Sequence, residues 1–318
     1  MELSFKIDTR KENIDLDSSQ IIAVLEPSDI PHPDDQAEII RQALQNPIGS
    51  PKLSALLQKE DTIAIVTSDI TRPMPSYTVL PVLLKELDQI GIAKDQITIV
   101  IALGSHRKQT EAELKHLVSE DVYQQYHVIN SGDNGFVHIG TTSRGTDVMI
   151  DRTVVEADKR ICLGNVEYHY FAGYSGGAKA IMPGCSTKES IQQNHRFMVK
   201  EEAHAGKIEG NPIREDIEEA SALVGVDFIL NVVLNPQKEV IYAAAGDVTK
   251  AHRDACMHLS QYYLSPIKEK ADVVIVSQAG APKDLNLYQT QKALDNAKHA
   301  VKDGGIVILI GSCKEGFG

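Results

Sequence analysis

Four short apolar runs constrain this chain more than anything else in it. They are TIAIVT (62–67), ITIVIAL (97–103), RICLG (160–164) and DVVIVS (272–277). A half-exposed strand alternates apolar and polar residues, whereas a strand covered on both faces is apolar throughout. Helical patterns fall between the runs: roughly 77 to 91, TEAELKHL with a Thr cap and a Glu three residues on, REDIEEASALV (214–224) and YQTQKALDNAKHAV. Strands alternating with helices predict an α/β fold whose mostly parallel sheets are covered on both faces.

The remaining segments fit around that rhythm. Residues 1 to 25 read as a hairpin, ELSFKID then IIAVLE. EPSDIPHPDD reads as a loop with His32 solvated, and Pro33 to Gln58 as helix broken near NPIGSPK. YHVIN (126–130) and DVMIDRTVVEA (147–157) read as further strands, and KESIQQNHRFMV as helix. DFILNVVLN and KEVIYAAAG read as a hairpin about Asn235-Pro236, followed by a long helix capped by Asp247. Two domains are expected, residues 1–268 and 269–318, with the active site in the cleft between them. The second domain reads as incomplete, because a lone β-α-β unit cannot bury its own core. The natural chain is therefore expected to continue past Gly318, or this unit to pack on something else.

The 318 residues carry a net charge of −12 and no basic stripe, which argues against nucleic acid and against an anionic membrane surface. The four cysteines, Cys162, Cys185, Cys256 and Cys313, are scattered without a C-x-x-C, as ordinary cytosolic thiols are. The N-terminus lacks a signal-type apolar core, and no window approaches the ~20 apolar residues of a membrane span. A cytoplasmic protein is expected.

Ligands of open α/β sheets bind beyond the carboxyl ends of the strands, and the reactive residues of this chain follow its apolar runs at once. TIAIVT leads to Asp69, Thr71 and Arg72, and ITIVIAL to His106 and Arg107. RICLG leads to Glu167 and His169, then to GYSGGAK with Ser175, Gly176, Gly177 and Lys179, and on to His195. DVVIVS leads to Gly280, Asp284 and Asn286, then Tyr288, Gln289 and Lys292. Each cluster alone has a structural explanation: a helix cap and ion pair, a loop histidine, aromatic packing around His169, a tight turn, a surface histidine at 195. Together they point to a shared cleft. Two histidines on separate loops suit acid/base work on opposite faces of a substrate. An arginine and a lysine can hold a carboxylate. GYSGGAK can offer N–H groups and a hydroxyl to a phosphate, but it is neither a Walker A loop nor a G-x-G-x-x-G fingerprint. A lysine in such a loop can also tether a cofactor. His195 alone makes a poor metal site unless a cofactor supplies the other ligands.

DITRP (69–73), GSHR (104–107), EYHYFAGYSGGAK (167–179), the NH pair (194–195), GNP (210–212) and NLYQ-x-x-K (286–292) together resemble the nickel-dependent lactate racemase family across nearly the whole chain. The resemblance implies a racemase or epimerase of a 2-hydroxy acid that uses a nickel-pincer nucleotide. Lys179 would bond covalently to that cofactor, His195 would ligate its nickel, and Ser175, Gly176 and Gly177 would contact its phosphate. His106 and His169 would be alternate acid/bases, and Asp69 would support a histidine. Arg72 would polarise the developing carbonyl, and Gln289 and Lys292, with Tyr288 beside them, would bind the carboxylate. The partners implied are a small 2-hydroxy acid and the cofactor-synthesis enzymes, and a homo-oligomer is compatible with the sequence. Protein made without those enzymes is expected to lack the cofactor and to keep Lys179 free. The chain departs from the family pattern at Ile70, at Tyr170 and Tyr174 where Phe is usual, and at Ser131-Gly132 in place of a His-Asp pair. Two other readings are an oxidoreductase with a diffusible nicotinamide and a non-enzymatic carrier of the nickel nucleotide. Only the enzyme readings need both His106 and His169.

Overall fold

A computed structural model describes residues 1–25, 30–281 and 283–317. Residues 26–29, which include the start of the predicted Pro/Asp loop, and Gly318 lie outside that description, as does Pro282. The chain divides into two compact units, Asp29–Tyr262 and Met1–Ser28 with Tyr263–Gly318. The break lies near the expected residue 268, but the first 28 residues join the C-terminal unit rather than the large one.

The large unit is built on six strands: β1 Ile63–Ser68, β2 Ile97–Ala102, β3 His127–Asn130, β4 Lys159–Asn165, β5 Phe228–Leu234 and β6 Val240–Gly246. Their order across the sheet is β6-β5-β4-β1-β2-β3, all parallel except the edge strand β6. The chain starts at β1, winds outward through β2 and β3, then returns to the other side of β1 with β4. That reversal places the switch point between β1 and β4, where ligands of such sheets bind. Side chains alternate between the sheet's two faces. Ile63, Ile65, Ile99, Ile161 and Leu230 meet α1 (Gln36–Gln45), α2 (Ser76–Ile90) and α3 (Glu111–Val118) in one core, through Ile40, Leu83, Leu87 and Leu117. A 3-10 turn, Gly177–Ala180, lies against β1 and β4 and against α5 (Pro212–Val224), with α4 (Lys188–His195) between turn and α5 in sequence. The last helix of this unit is α6, Lys250–Tyr263.

Local chemistry sets the element ends. Thr110 accepts from the Glu113 N–H while Glu113 accepts from the Thr110 N–H, the reciprocal cap predicted for α3. Asp247 accepts from the N–H groups of Thr249 and Lys250 ahead of α6. The predicted strand 147–157 is corrected: it ends at Asp151, whose side chain accepts from the Val154 N–H and starts a helix at Arg152. Asp147–Asp151 pairs antiparallel with Phe136–Thr141 in a hairpin. All four cysteines are free thiols.

In the second unit Glu2–Ile7 pairs antiparallel with Arg10–Asp15. The hairpin is therefore real, but its return strand is the charged RKENID and not IIAVLE. Strands β7 (Ala271–Ser277) and β8 (Val301–Ile310) are parallel and joined through α7 (Leu287–Ala297). Asp284 is buried, and its Oδ2 accepts from the N–H groups of Asp8 (2.8 Å) and Ser312 (3.0 Å). Val273, Ile306 and Ile308 keep substantial exposure on the strands of this unit. No helix among the described residues is long and apolar enough to cross a membrane.

Candidate active site

The loops after β1, β2 and β4, three neighbouring strands, open onto one cavity. Asp69, Arg72, His106, Ser175, Gly176, Lys179 and His195 line it, with Asn165 at the end of β4. Asp69 is buried, and its two oxygens do different jobs. Oδ1 accepts from the Thr71 hydroxyl (2.7 Å) and N–H (3.2 Å), and Oδ2 faces His106 Nδ1 at 2.8 Å. A carboxylate only accepts, so Nδ1 carries the hydrogen and Nε2 the lone pair. The loop after β2 is held from behind by the Gly104 N–H donating to Gly184 O. Arg107 instead forms a two-pronged pair with Glu113 on α3, so it braces a helix start.

After β4 the chain makes a tiny hairpin, Tyr168–His169 against Gly173–Tyr174, and enters the glycine segment. Gly176 and Gly177 both have positive φ, +75° and +58°. A Cβ at Gly177 would stand 2.8 Å from the His252 ring, and one at Gly176 would stand 2.7 Å from Asn231 Oδ1. Glycine is needed at both by backbone angle and by space. The Ser175 hydroxyl donates to Asn165 O and accepts from the Glu167 N–H, and the Gly177 N–H donates to Asn231 Oδ1. These groups shape the segment rather than line up as anion donors. The Asn165 Nδ2 amide, by contrast, is buried and unpartnered among the described residues.

Lys179 is buried, and its amine is pushed well below the usual lysine range by burial, with the positive charges of Arg72 and Arg214 adding to the effect. A neutral, unhydrated amine is a nucleophile, whereas a paired ammonium is not. Arg214 is fully buried on α5 and donates to the carbonyls of Ala172 and Tyr174 behind the loop. Arg72 lines this pocket and Arg214 lies behind it, two cations that suit an anionic ligand.

Phe171 is the common neighbour of the remaining groups. Its ring centroid lies 4.5 Å from that of His169 and 4.8 Å from that of His195, and Lys179 Nζ sits 6.0 Å from it. His169 does not line the cavity itself. Its Nδ1 accepts from the Ala172 N–H at 3.3 Å, so the neutral ring carries its hydrogen on Nε2, opposite to His106. Burial, then the charges of Lys179, Arg72, Arg214 and His195, hold His169 well below the ordinary histidine range. Burial and then Lys179 bring His195 down to about 4.

Other expected site residues lie elsewhere. Tyr288, Gln289 and Lys292 belong to the smaller unit, at the start of α7. There Asn286 caps the helix by accepting from the Gln289 N–H, Lys292 Nζ donates to Gln289 Oε1 at 2.8 Å, and Tyr288 is exposed. Asp284, grouped with them in the sequence, ties strand ends together instead. The Tyr174 hydroxyl meets Ser260 Oγ on α6 and Tyr170 is exposed, while Ser131 Oγ accepts from the Leu103 N–H. A larger hollow of about 530 Å³ lies at the opposite, amino ends of the strands, near Thr62, Thr98 and Asp95. Its Arg152 is paired with Glu156 on the surface, and none of the convergent groups described above reach it.

The lactate racemase N-terminal domain pattern matches residues 7–206, and the C-terminal domain pattern matches residues 267–318. The chain belongs to the lactate racemase family. A lactate racemase from Thermoanaerobacterium thermosaccharolyticum is 37% identical over 289 residues, covering 89% of this chain and 67% of that protein. One from Lactiplantibacillus plantarum is 35% identical over 89% of this chain and 68% of its own length. The structure of the T. thermosaccharolyticum lactate racemase apoprotein superposes with a TM-score of 0.91 at 34% identity, over all of this chain and 76% of that one. A Thermotoga maritima protein, 22% identical with a TM-score of 0.67 over 85% of this chain and 70% of its own, shares the fold.

The lactate racemase fold thus brings together most residues that the motifs singled out, and it adds three that they did not: His252, Asn231 and Asn165. His252 is buried on α6, and its Nε2 donates to Ser175 O at 2.8 Å beneath the glycine segment. Its only sequence signal is its place on the apolar face with Ala251, Ala255 and Leu259. Burial first, then Arg214, holds it well below the ordinary histidine range. The three depressed histidines, His169, His195 and His252, make acid a denaturant. Above about pH 6.5 they are neutral in both folded and unfolded chains. Below it the unfolded chain takes up protons that the folded one refuses, so stability is lost as pH falls toward the folded values, by at most about 1.4 kcal/mol per pH unit for each group. The raised carboxyl of Asp151, due to burial, opposes this in part. Thermal unfolding of cofactor-free protein should show Tm dropping stepwise from pH 7 to 6 to 5. A flat profile would contradict the burial of neutral histidines.

Proposed function

We propose that the chain racemises or epimerises a 2-hydroxy acid, with hydride removed from and returned to the substrate carbon through a nickel-pincer nucleotide anchored on Lys179. Family membership supports an isomerase of hydroxy acids, and lactate is the first substrate to test because both matched relatives are named lactate racemases. The observation that carries the reading is the buried Lys179, its amine pushed well below the usual lysine range, in one cavity with the Asp69-oriented His106.

The residues present fit such a cofactor. Lys179 offers an amine without a carboxylate acting on it. Asn165 offers an unpartnered buried Nδ2 on the cavity wall, where an acceptor on the ligand would satisfy it. Gly164 and Gly176 face each other so closely that a Cβ on Gly164 would stand 3.2 Å from Gly176 Cα, which keeps that wall thin. His195 can direct a nitrogen lone pair to a metal. When bound, the cofactor supplies the hydride acceptor and donor.

The chain's own residues handle protons and charge. His106 Nε2 takes the hydroxyl proton of one enantiomer, since its Nδ1 hydrogen is given to Asp69. Arg72 sets a cation beside the oxygen as carbonyl character develops there. His169 is proposed to serve the opposite face, which requires its hydrogen to pass from Nε2 to Nδ1, at the expense of the Ala172 contact, before Nε2 can take a proton there. Gln289 and Lys292 are proposed to hold the substrate carboxylate, Lys292 as a point charge and Gln289 as an amide donor. The glycine segment here is a 3-10 turn without a dinucleotide fingerprint, which counts against a diffusible nicotinamide.

Intact-mass and peptide analysis of protein made alongside the cofactor-synthesis enzymes should find the adduct on Lys179, and protein made alone should have that lysine free. Racemisation of a single lactate enantiomer by a preparation with unmodified Lys179 would refute the anchored cofactor.

A further inference from the structure

We infer that Asn194 and Asp216 are positioning residues that decide which ring nitrogen of His195 keeps its lone pair. The inference rests on the proposed role of His195 as a ligand to the cofactor metal. His195 ends α4 with Nδ1 3.1 Å from Asn194 Oδ1. That contact alone is ambiguous, because a side-chain amide can present either its oxygen or its nitrogen. The rest of the chain removes the ambiguity. Asn194 is fully buried, and its other end lies 2.7 Å from Asp216 Oδ2 and 3.3 Å from Ile213 O. Both of those are acceptors, so that end must be the NH2 group and the oxygen must face His195. An amide oxygen only accepts, so His195 Nδ1 must donate. A neutral imidazole has one N–H, which leaves the lone pair on Nε2.

Asp216 is held just as firmly. It is fully buried on α5, and its carboxylate also accepts from the hydroxyls of Thr142 and Thr146, at the tip of the hairpin formed by Phe136–Thr141 and Asp147–Asp151. Donation therefore converges on Asp216, from the Thr142 and Thr146 hydroxyls on one side and from His195 through Asn194 on the other, with each donor matched to an acceptor. Neither Asn194 nor Asp216 lines the cavity, so both act through His195. Loss of a partner that orients a metal-bound histidine costs about 10- to 100-fold in metal affinity.

Two measurements test this. The first is long-range proton–nitrogen NMR of histidine-labelled, cofactor-free protein at pH 7.5, with His195 assigned from a His195→Gln variant. His195 should show a protonated Nδ1 and an unprotonated Nε2, and Asn194→Ala should turn this into a mixture. A His195 protonated on Nε2 in the unaltered protein overturns the inference, whether or not N194A folds. The second is nickel retention, read by elemental analysis after dialysis against a chelator, in protein made with the cofactor-synthesis enzymes. N194A should lose its nickel about 10- to 100-fold more readily than the unaltered protein, and equal retention overturns the positioning role. Absence of nickel from the unaltered protein would sink the cofactor reading instead, while the tautomer measurement still decides the role of Asn194.

Discussion

Alanine in place of His106 or of His169 should lower racemisation by about 10²- to 10⁴-fold in both directions. In the proposed reaction each conversion would remove a hydroxyl proton on one face and restore one on the other, so a single missing histidine would block the path from either enantiomer. The two residues are not equivalent in their surroundings. His106 leans on the buried Asp69 and keeps Nε2 open, whereas His169 is held neutral against Phe171 with its hydrogen on Nε2. The assay is loss of optical purity, started separately from each pure enantiomer with cofactor-loaded enzyme. Full activity in either variant would remove that residue from the mechanism. His169→Asn, which keeps a small polar side chain beside Phe171, guards against a loss that merely reflects collapsed packing.

Asp69→Asn should lower kcat by about 10²-fold or more while KM stays nearly unchanged. Among the described residues the Asp69 side chain hydrogen-bonds to Thr71 and His106, so its effect on substrate is expected to pass through the ring. In the variant, the two Thr71 donors would claim the amide oxygen and turn its NH2 group toward His106. Nδ1 would then have to accept, and the hydrogen would move to Nε2, the atom proposed to take the substrate proton. A large rise in KM with kcat intact would show instead that Asp69 helps bind substrate.

The apolar runs at β1, β2 and β4 are legible in the sequence because both faces of each strand are buried, which leaves no polar alternation to blur them. RKENID escapes notice for the opposite reason. It is almost wholly exposed and is held by backbone pairing, Glu2 opposite Asp15 and Ile7 opposite Arg10, which leaves no side-chain pattern. IIAVLE misleads because Ile22, Val24 and Leu25 are apolar yet exposed and outside any strand. At the candidate site, the residue types and their strand-end positions can be read directly. Hydrogen positions cannot, because partners distant in the chain set them: Asp69 for His106, Asp216 for Asn194, and Ser175 for His252. Nor can the loss of the Ser175 hydroxyl to the backbone be read from GYSGGAK, since Asn165 and Glu167 claim it only once the segment has folded.

The switch point between β1 and β4 also governs how the site comes into being. Its residues reach the cavity from loops after β1, β2 and β4, and β4 pairs with β1 across almost a hundred positions of chain, Ile65 opposite Ile161. Closing so long a loop is slow and is repaid only when the neighbouring strands are in place. No fragment that stops before β4 can hold His106 and Lys179 in one cavity. Regain of activity during refolding therefore reports docking of the returning strand, a late event, whereas helix content reports only the early local steps.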